Sequence, residues 1–433
     1  MQMNQSQFQA NLVALLAVGV ILGAMLRLPP VYCVNDASRW DTVWALLNGR
    51  GYVLDYNWSD GKFEAPYDLA NCDQVKIGNR FYSSKPPLMP TVLAGIAWVV
   101  RAVTGMQIPE RDDFVVRFIL LLVNVLPFAI MVILYAGLLE RLGYGQAARL
   151  FCIAAAAFGT YITAYSVTLN NHTIAAWSAF FALYCIIRIK HEQQTQWRYF
   201  VLCGTFTGWT VANEMVAAPF ALMIYGWLMY GHSKQTLKYA VAPSIVLAVA
   251  YLFTTYLATG GSLVPNYLVF HSPRYFYPGS HWLNPQGIDG ANDPKWFYLF
   301  NLTLGHHGIL SLSPVMLIAF YGLVRQTKKS LRAVNMIALV NTVGLLLFYT
   351  VRTNNYGGGA QGPRWFFWLI PMWLIAMAPV VDEHISSTAF RGLAMLALLV
   401  SIVTVGHAMS GPSGPWSDSW LITMMRARGW ITY

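Results

Sequence analysis

Charge is what this chain has least of. Asp, Glu, Lys and Arg make up only 11% of its 433 residues, against 56% hydrophobic residues, which excludes an ordinary soluble domain, about a quarter charged. Acids are scarcer than bases, 18 against 28, giving a formal net charge of +10. In a soluble chain that excess would point to nucleic acid. Here much of it sits in short loops between apolar runs, where it meets anionic headgroups and fixes orientation, so no nucleic-acid partner is expected. Cysteine is also rare, and three of the five, Cys152, Cys185 and Cys203, fall inside apolar runs as packing residues. No heptads, low-complexity tract or internal repeat is visible, and one membrane-embedded domain over residues 1–433 is the simplest organisation. A transporter would be expected to show paired broken helices in two related halves, and no such symmetry is found.

What the chain does have is apolar runs, with a mean hydropathy of +0.46. They cover residues 10–26, 114–139, 150–166, 174–187, 199–211, 216–230, 239–258, 309–324, 334–349, 365–381 and 393–409. This predicts an all-α polytopic membrane protein with about eleven transmembrane helices. The first run reads as an uncleaved span rather than a signal peptide, because no Lys or Arg precedes it and it leads into Arg27 and Pro29-Pro30 without a small-residue cleavage site.

With the N-terminus cytoplasmic, the inner loops collect Arg141, Arg149, Arg188, Lys190, Arg198, Lys234, Lys238, Arg325, Lys328, Lys329, Arg332 and Arg391. The acids there are Glu140, Glu192, Asp382 and Glu383. That asymmetry obeys the positive-inside rule only if the apolar piece 87–103 does not cross, which makes it an interfacial or re-entrant helix. The outer face then holds a first loop over residues 28–113, a second over 259–308, the turns VTLNNHT and RTNNYGGGAQGPR, the break at Asn213-Glu214 and the C-terminal tail. Cys33 and Cys72 both lie in the first loop. A disulfide there, closing about forty residues, would be worth about 3–4 kcal/mol; the alternative is two unrelated thiols.

The first outer loop carries the strongest chemistry. In NDASRWDTVWALLNGRGY, Asp36 and Arg39 are three apart and share one helix face, while Trp40, Val43, Trp44 and Leu47 form an apolar stripe suited to a membrane surface. The structural reading of Asp36 is an N-cap. Asp41, Asp55, Asp60, Glu64 and Asp68 read as solvated loop acids. In SSKPPL, two prolines set an extended lead into the next helix, leaving Lys85 at its mouth as a point charge for a phosphate, or as a snorkelling side chain.

Together, D-x-x-R after the first span and K-P-P-L some fifty residues later resemble the GT-C fold glycosyltransferases that use polyprenyl-phosphate sugars, in the branch of the lipid A aminoarabinose transferase and, more distantly, the protein O-mannosyltransferases. The resemblance covers roughly the first 140 residues, including Arg117 near the start of the second span. It implies a GT-C-like bundle with interfacial helices in a large first extracytoplasmic loop. Asp36 matches the acid beside the acceptor and the anomeric carbon, and Arg39 and Lys85 match positions that hold the lipid-linked phosphate. The family's paired acids read Asp36-Ala37 here, which weakens any inference of a bridging metal; no metal and no cofactor other than the donor substrate is expected.

Elementary chemistry agrees with these roles. Transfer from a polyprenyl phosphate needs a base for the acceptor and cations for the leaving phosphate. Later elements offer further candidates. Asn170-Asn171-His172 either ends a helix or contacts a sugar. Glu214, near membrane depth, is functional or paired with an arginine. His306 and His307, adjacent and hence divergent on a helix, suit sugar contact or an interface better than one metal. In NNYGGGAQGPRW the glycines allow close backbone approach around Tyr356, and Arg352 and Arg364 flank the turn as phosphate or headgroup ligands, or as snorkelling residues.

The sequence therefore reads as an inverting membrane glycosyltransferase of the bacterial inner membrane, working on its extracytoplasmic face. Its expected partners are membrane lipids, a polyprenyl-phosphate sugar and an acceptor of unspecified class. The alternative is a non-catalytic lipid or glycan carrier, or a membrane-complex subunit, on the same scaffold.

Overall fold

The computed structural model describes residues 5–57, 62–63, 65–67, 69, 72–270, 272–325 and 331–433. Asp60, Glu64, Asp68, Lys328 and Lys329 lie outside them. In a bilayer every backbone N–H and C=O must be satisfied internally, and the apolar runs accordingly become helices. In chain order these are α1 (Gln5–Arg27), α2 (Val34–Leu47), α3 (Leu88–Thr104), α4 (Asp112–Leu120), α5 (Leu126–Arg141), α6 (Gln146–Phe158), α7 (Tyr161–Tyr165), α8 (Asn171–Lys190) and α9 (Trp197–Asn213). They continue as α10 (Ala218–Gln235), α11 (Ala242–Ala258), α12 (Lys295–Thr303), α13 (Ile309–Leu312), α14 (Met316–Arg325), α15 (Arg332–Arg352), α16 (Ile370–His384), α17 (Thr388–Ser410) and α18 (Trp420–Ala427).

Among the described residues, eight helical stretches are long and apolar enough to cross a membrane. One of them, Met215–Ala258, is two limbs. Helical geometry is lost at Tyr230–His232, where Gly231 takes φ 89°, and the Tyr225 hydroxyl on one limb reaches the Ala240 carbonyl on the other at 3.2 Å. A straight helix would hold those residues more than 20 Å apart. Counting the two limbs separately gives nine, and the remaining two expected runs, 199–211 and 309–324, become the shorter helices α9 and α13–α14.

Two levels are fixed by side chains. At one end, Arg141 meets Glu192 at 3.0 Å, Arg149 meets Glu140 at 3.3 Å and Arg325 meets Glu383 at 3.0 Å, so the expected inner-loop bases gather with their few acids. At the other, Arg117 in α4 donates to the Leu28 carbonyl at the end of α1 at 3.1 Å. The chain therefore leaves α1 and returns to α4 at one level, and α3 does not cross. Within the bundle α8 and α16 are buried along most of their length, whereas the α10–α11 limbs leave Leu222, Ile245, Val246 and Phe253 exposed as a lipid-facing surface. Helix contact is close where side chains are small: a Cβ on Gly322 of α14 would lie 2.1 Å from the Ala376 carbonyl oxygen of α16.

The first outer loop folds into more than surface helices. After a two-residue pair, β1 (Tyr56–Asn57) with β2 (Lys62–Phe63), the hairpin of β3 (Gln74–Ile77) and β4 (Arg80–Ser83) turns through Gly78 and Asn79 and leads to Lys85. The expectation that α2 lays its apolar stripe on the membrane surface is corrected: Trp40 and Val43 are fully buried within the protein core. Asp41 is likewise no solvated acid. It is buried and accepts from the Tyr67 backbone N–H at 3.1 Å. Asp55 does face the surface, 3.6 Å from Arg80.

Candidate functional site

The site is built where breaks in the helical pattern meet. The span α4–α5 runs through a π-helical turn at Leu121–Val125, and there the buried Asn124 amide donates to the Ser166 and Thr168 carbonyls at 3.3 and 2.9 Å. π-turns of this kind recur at functional sites. This one pins the turn between α7 and α8, and so places Thr168. The Thr168 hydroxyl donates to Asp36 Oδ2 at 2.9 Å and accepts from Trp416 Nε1 at 2.9 Å.

Asp36 has no exposed surface. It is the third residue of α2, not its N-cap. Cys33 holds that position, its thiol accepting from Asn35 N–H, and Asp36 Oδ1 in return accepts from Cys33 N–H at 3.0 Å, the reciprocal arrangement of a capping box. Burial pushes the Asp36 carboxyl up to about 7, opposed by its bonds from Thr168 and from the backbone of Cys33 and Ala37. A carboxyl at that level exchanges a proton near neutrality. Cys33 and Cys72 are both free thiols in this structure, which is the second of the two readings their spacing allows and not the disulfide.

Arg39, one turn further along α2, is also buried. Its guanidinium donates to the Asn35 carbonyl and, at 2.7 Å, to Asn35 Oδ1, and it reaches Asn171 Oδ1 across the site. Burial lowers it to about 10, while Asp73, Asp36 and Glu214 oppose that fall and Arg364 adds to it. Asn171 passes the contact on, donating to Glu214 Oε1 at 2.7 Å and to the Asn213 carbonyl at 3.0 Å, and His172 Nδ1 binds the same Glu214 oxygen. The expected triplet therefore divides its work. Asn170 caps α8 through Thr173 N–H at 2.8 Å, while Asn171 and His172 join Arg39 to Glu214. Glu214 meets the arginine only through Asn171.

Lys85 is neither solvated nor snorkelling. Its Nζ lies 2.6 Å from Asp73 Oδ1, both side chains being largely covered, and burial lowers its affinity for the proton. Ser38 on α2 donates to the Asp73 carbonyl at 2.6 Å and lies 2.6 Å from the Ser83 hydroxyl, which ties the hairpin to the helix carrying Asp36.

Arg364 closes the group from the glycine-rich turn. One Nη donates to the Gly357 carbonyl at 2.6 Å, and the guanidinium carbon sits 4.8 Å over the Trp416 ring. Its Nε and other Nη are buried with no hydrogen-bond partner. A Cβ on Gly357, at φ 96°, would lie 3.0 Å from Arg364 Nε, so glycine is needed there both for the turn and for the arginine. Arg352 is not brought to this group: it is exposed at the end of α15.

The expected histidine pair sits in a second polar cluster beside the turn. His306 and His307 are in an irregular segment rather than on a helix, so they converge. Their Nδ1 atoms are 2.6 Å apart and both rings pack on Tyr356. Burial lowers His306 to about 3 and holds His307 well below its usual value. The Tyr356 and Tyr433 hydroxyls both donate to Asp293 Oδ2, at 2.5 and 2.8 Å. Sequence reasoning missed Asp73, Thr168, Trp416 and Asp293. Only for Asp73 was there a signal: Gly-Asn at 78–79 is a two-residue hairpin turn, and it marks the ladder that carries Asp73 to Lys85.

No family model and no curated protein matches the chain. Solved structures do. The crystal structure of ArnT, an aminoarabinose transferase from Cupriavidus metallidurans, in the apo state aligns at TM-score 0.52 and 14% identity, covering 88% of this chain and 61% of that one. The Archaeoglobus fulgidus oligosaccharyltransferase, tethered through a disulfide bond to an acceptor peptide with the NVT sequon, aligns at TM-score 0.52 and 14% identity, covering 94% and 55%. The chain thus has the GT-C fold of polytopic membrane glycosyltransferases. It spans a little over half the length of these two structures.

Proposed function

We propose that the chain is a glycosyltransferase that moves a sugar from a polyprenyl-phosphate donor to an extracytoplasmic acceptor, with inversion at the anomeric carbon. One observation carries the reading: Arg364 holds two buried nitrogens, Nε and one Nη, without hydrogen-bond partners in the group of charges that contains Asp36, a carboxyl held near neutrality. An unpaired buried guanidinium edge is costly, and a phosphate is the anion its planar fork fits.

In this account Asp36 removes the proton of an acceptor hydroxyl or amine. The acceptor's lone pair attacks the anomeric carbon from the face opposite the phosphate, the carbon–oxygen bond to phosphate breaks, and the phosphate leaves with that electron pair. Arg364 and Lys85 carry its charge, Lys85 first exchanging Asp73 for phosphate oxygen. Arg39, whose two Nη groups are taken by Asn35 and Asn171 while its Nε has no partner, orients α2 and adds positive potential. Glu214, Asn171 and His172 hold Arg39, and His306, His307 and Tyr356 support the turn of Arg364. Side-chain cations balance the phosphate, so the step invokes no metal. The active face is the extracytoplasmic side of a bacterial inner membrane, opposite the basic end of the bundle.

Binding of a polyprenyl monophosphate to the purified protein tests this. Saturable binding, weakened by both Arg364→Ala and Lys85→Ala, is the expected result. A folded protein showing no specific binding would leave the fold without this activity and favour a carrier or subunit role.

A further inference from the structure

Outside the charge group above, the outer loops bring together three side chains from two distant parts of the sequence. The Cys72 thiol, His281 Nε2 and an Asp289 carboxylate oxygen all lie within 4.8 Å of one another, each partly covered. His281 Nε2 and Asp289 Oδ2 are already 3.2 Å apart. Two ligands on a tetrahedral ion with bonds of about 2.0–2.3 Å stand roughly 3.5 Å apart, so rotation of the cysteine side chain completes a three-ligand shell. The surroundings hold these ligands in place. Trp282 Nε1 donates to the Cys72 carbonyl at 2.8 Å, fixing the two loops against each other, and Asn355 Nδ2 donates to the second Asp289 oxygen at 3.4 Å. A partner on the non-ligating oxygen is the usual second support of a metal site.

From this geometry we infer that Cys72, His281 and Asp289 form a binding site for a borderline-soft divalent cation of the zinc type. The donor set decides the class: thiolate and imidazole select against magnesium and calcium, which take oxygen ligands, while one carboxylate is compatible with zinc. The fourth position is left to water or an added ligand. Bound there, the ion joins the first outer loop to the second and, through Asn355, to the glycine turn. Cys72 adjoins Asp73, the partner of Lys85, and the turn carries Arg364, so the cation fixes the spacing of the two cations that the proposed reaction uses. The site itself is independent of that reaction.

The test uses the full chain, free of histidine tags, titrated with Co²⁺ alone. Wild type is expected to develop a thiolate-to-cobalt charge-transfer band with the visible bands of four-coordinate cobalt, displaced by Zn²⁺. Cys72→Ser loses the charge-transfer band, His281→Ala and Asp289→Asn weaken binding roughly tenfold or more, and Cys33→Ser retains the wild-type spectrum. No band in wild type, or a band that survives Cys72→Ser, overturns the assignment. A second readout covers variants that fail to fold. In the Cys33→Ser protein, which keeps a capping hydroxyl on α2, Zn²⁺ is expected to slow maleimide labelling of Cys72 at least tenfold, and equal labelling with and without Zn²⁺ also overturns it.

Discussion

At the basic end of the bundle, Arg325 meets Glu383 and Arg141 meets Glu192 with side chains a fifth to two-fifths exposed. At the other end Asp36, Arg39 and Glu214 are sealed from solvent almost completely. The same residue types thus do different work at the two levels. Exposed pairs are screened and contribute about 0–1 kcal/mol each, and their value is in orienting the chain. Buried ones stand in a low dielectric where an unfilled hydrogen bond or a displaced proton is costly, and their value is in what they are poised to do. Burial, more than charge count, separates a topological end from a chemical one.

The largest break in that comparison is Asp36→Asn. It keeps the shape of the capping box and removes the base, and transfer is expected to fall about 10²–10⁴-fold with the protein still folded by circular dichroism. Next is Arg364→Ala. Losing charge-assisted bonds of about 1.5–3 kcal/mol weakens polyprenyl-phosphate binding roughly 10–100-fold, measured by titration in detergent. Lys85 and Asp73 form the third pair. Lys85→Ala weakens the same binding about tenfold, while Asp73→Asn, which frees the lysine, tightens it; a loss of binding in Asp73→Asn would mean that the pair is purely structural. The smallest effects belong to exposed charges. Arg352→Ala is expected to change phosphate binding by less than about twofold, and Glu383→Gln to cost about 1 kcal/mol or less in denaturant unfolding.

The spans were legible because a bilayer imposes one rule on every residue of a run, and that rule survives in composition. Asp36, Lys85 and Arg364 were legible as candidates because each stands where a charge needs a reason: after a first span, at the mouth of a proline-led helix, in a glycine turn on the less basic side. Their partners were not. Thr168 is one threonine in a polar turn, Asp73 one acid among several in its loop, and only the hairpin and the π-turn at Asn124 bring them to their targets. Cys33 is a related case. Spacing allows a disulfide, but a thiol can also cap a helix, and that choice is made by the backbone of residues 33–36. His306 and His307 misled because a helix was assumed where Gly305 and Gly308 flank an irregular segment.

A pH profile decides whether Asp36 is the proton acceptor of a transfer reaction. Single-turnover release of polyprenyl phosphate from a labelled polyprenyl-phosphate sugar would be followed with membrane extract as the acceptor pool. Burial raises the Asp36 carboxyl to about 7, so the base is protonated and idle below that pH and ionised above it. The wild-type rate should climb through pH 7 to a plateau, and Asp36→Asn should show a low rate with no such rise. A folded Asp36→Asn protein that releases polyprenyl phosphate at the wild-type rate, with the same pH limb, would contradict the account.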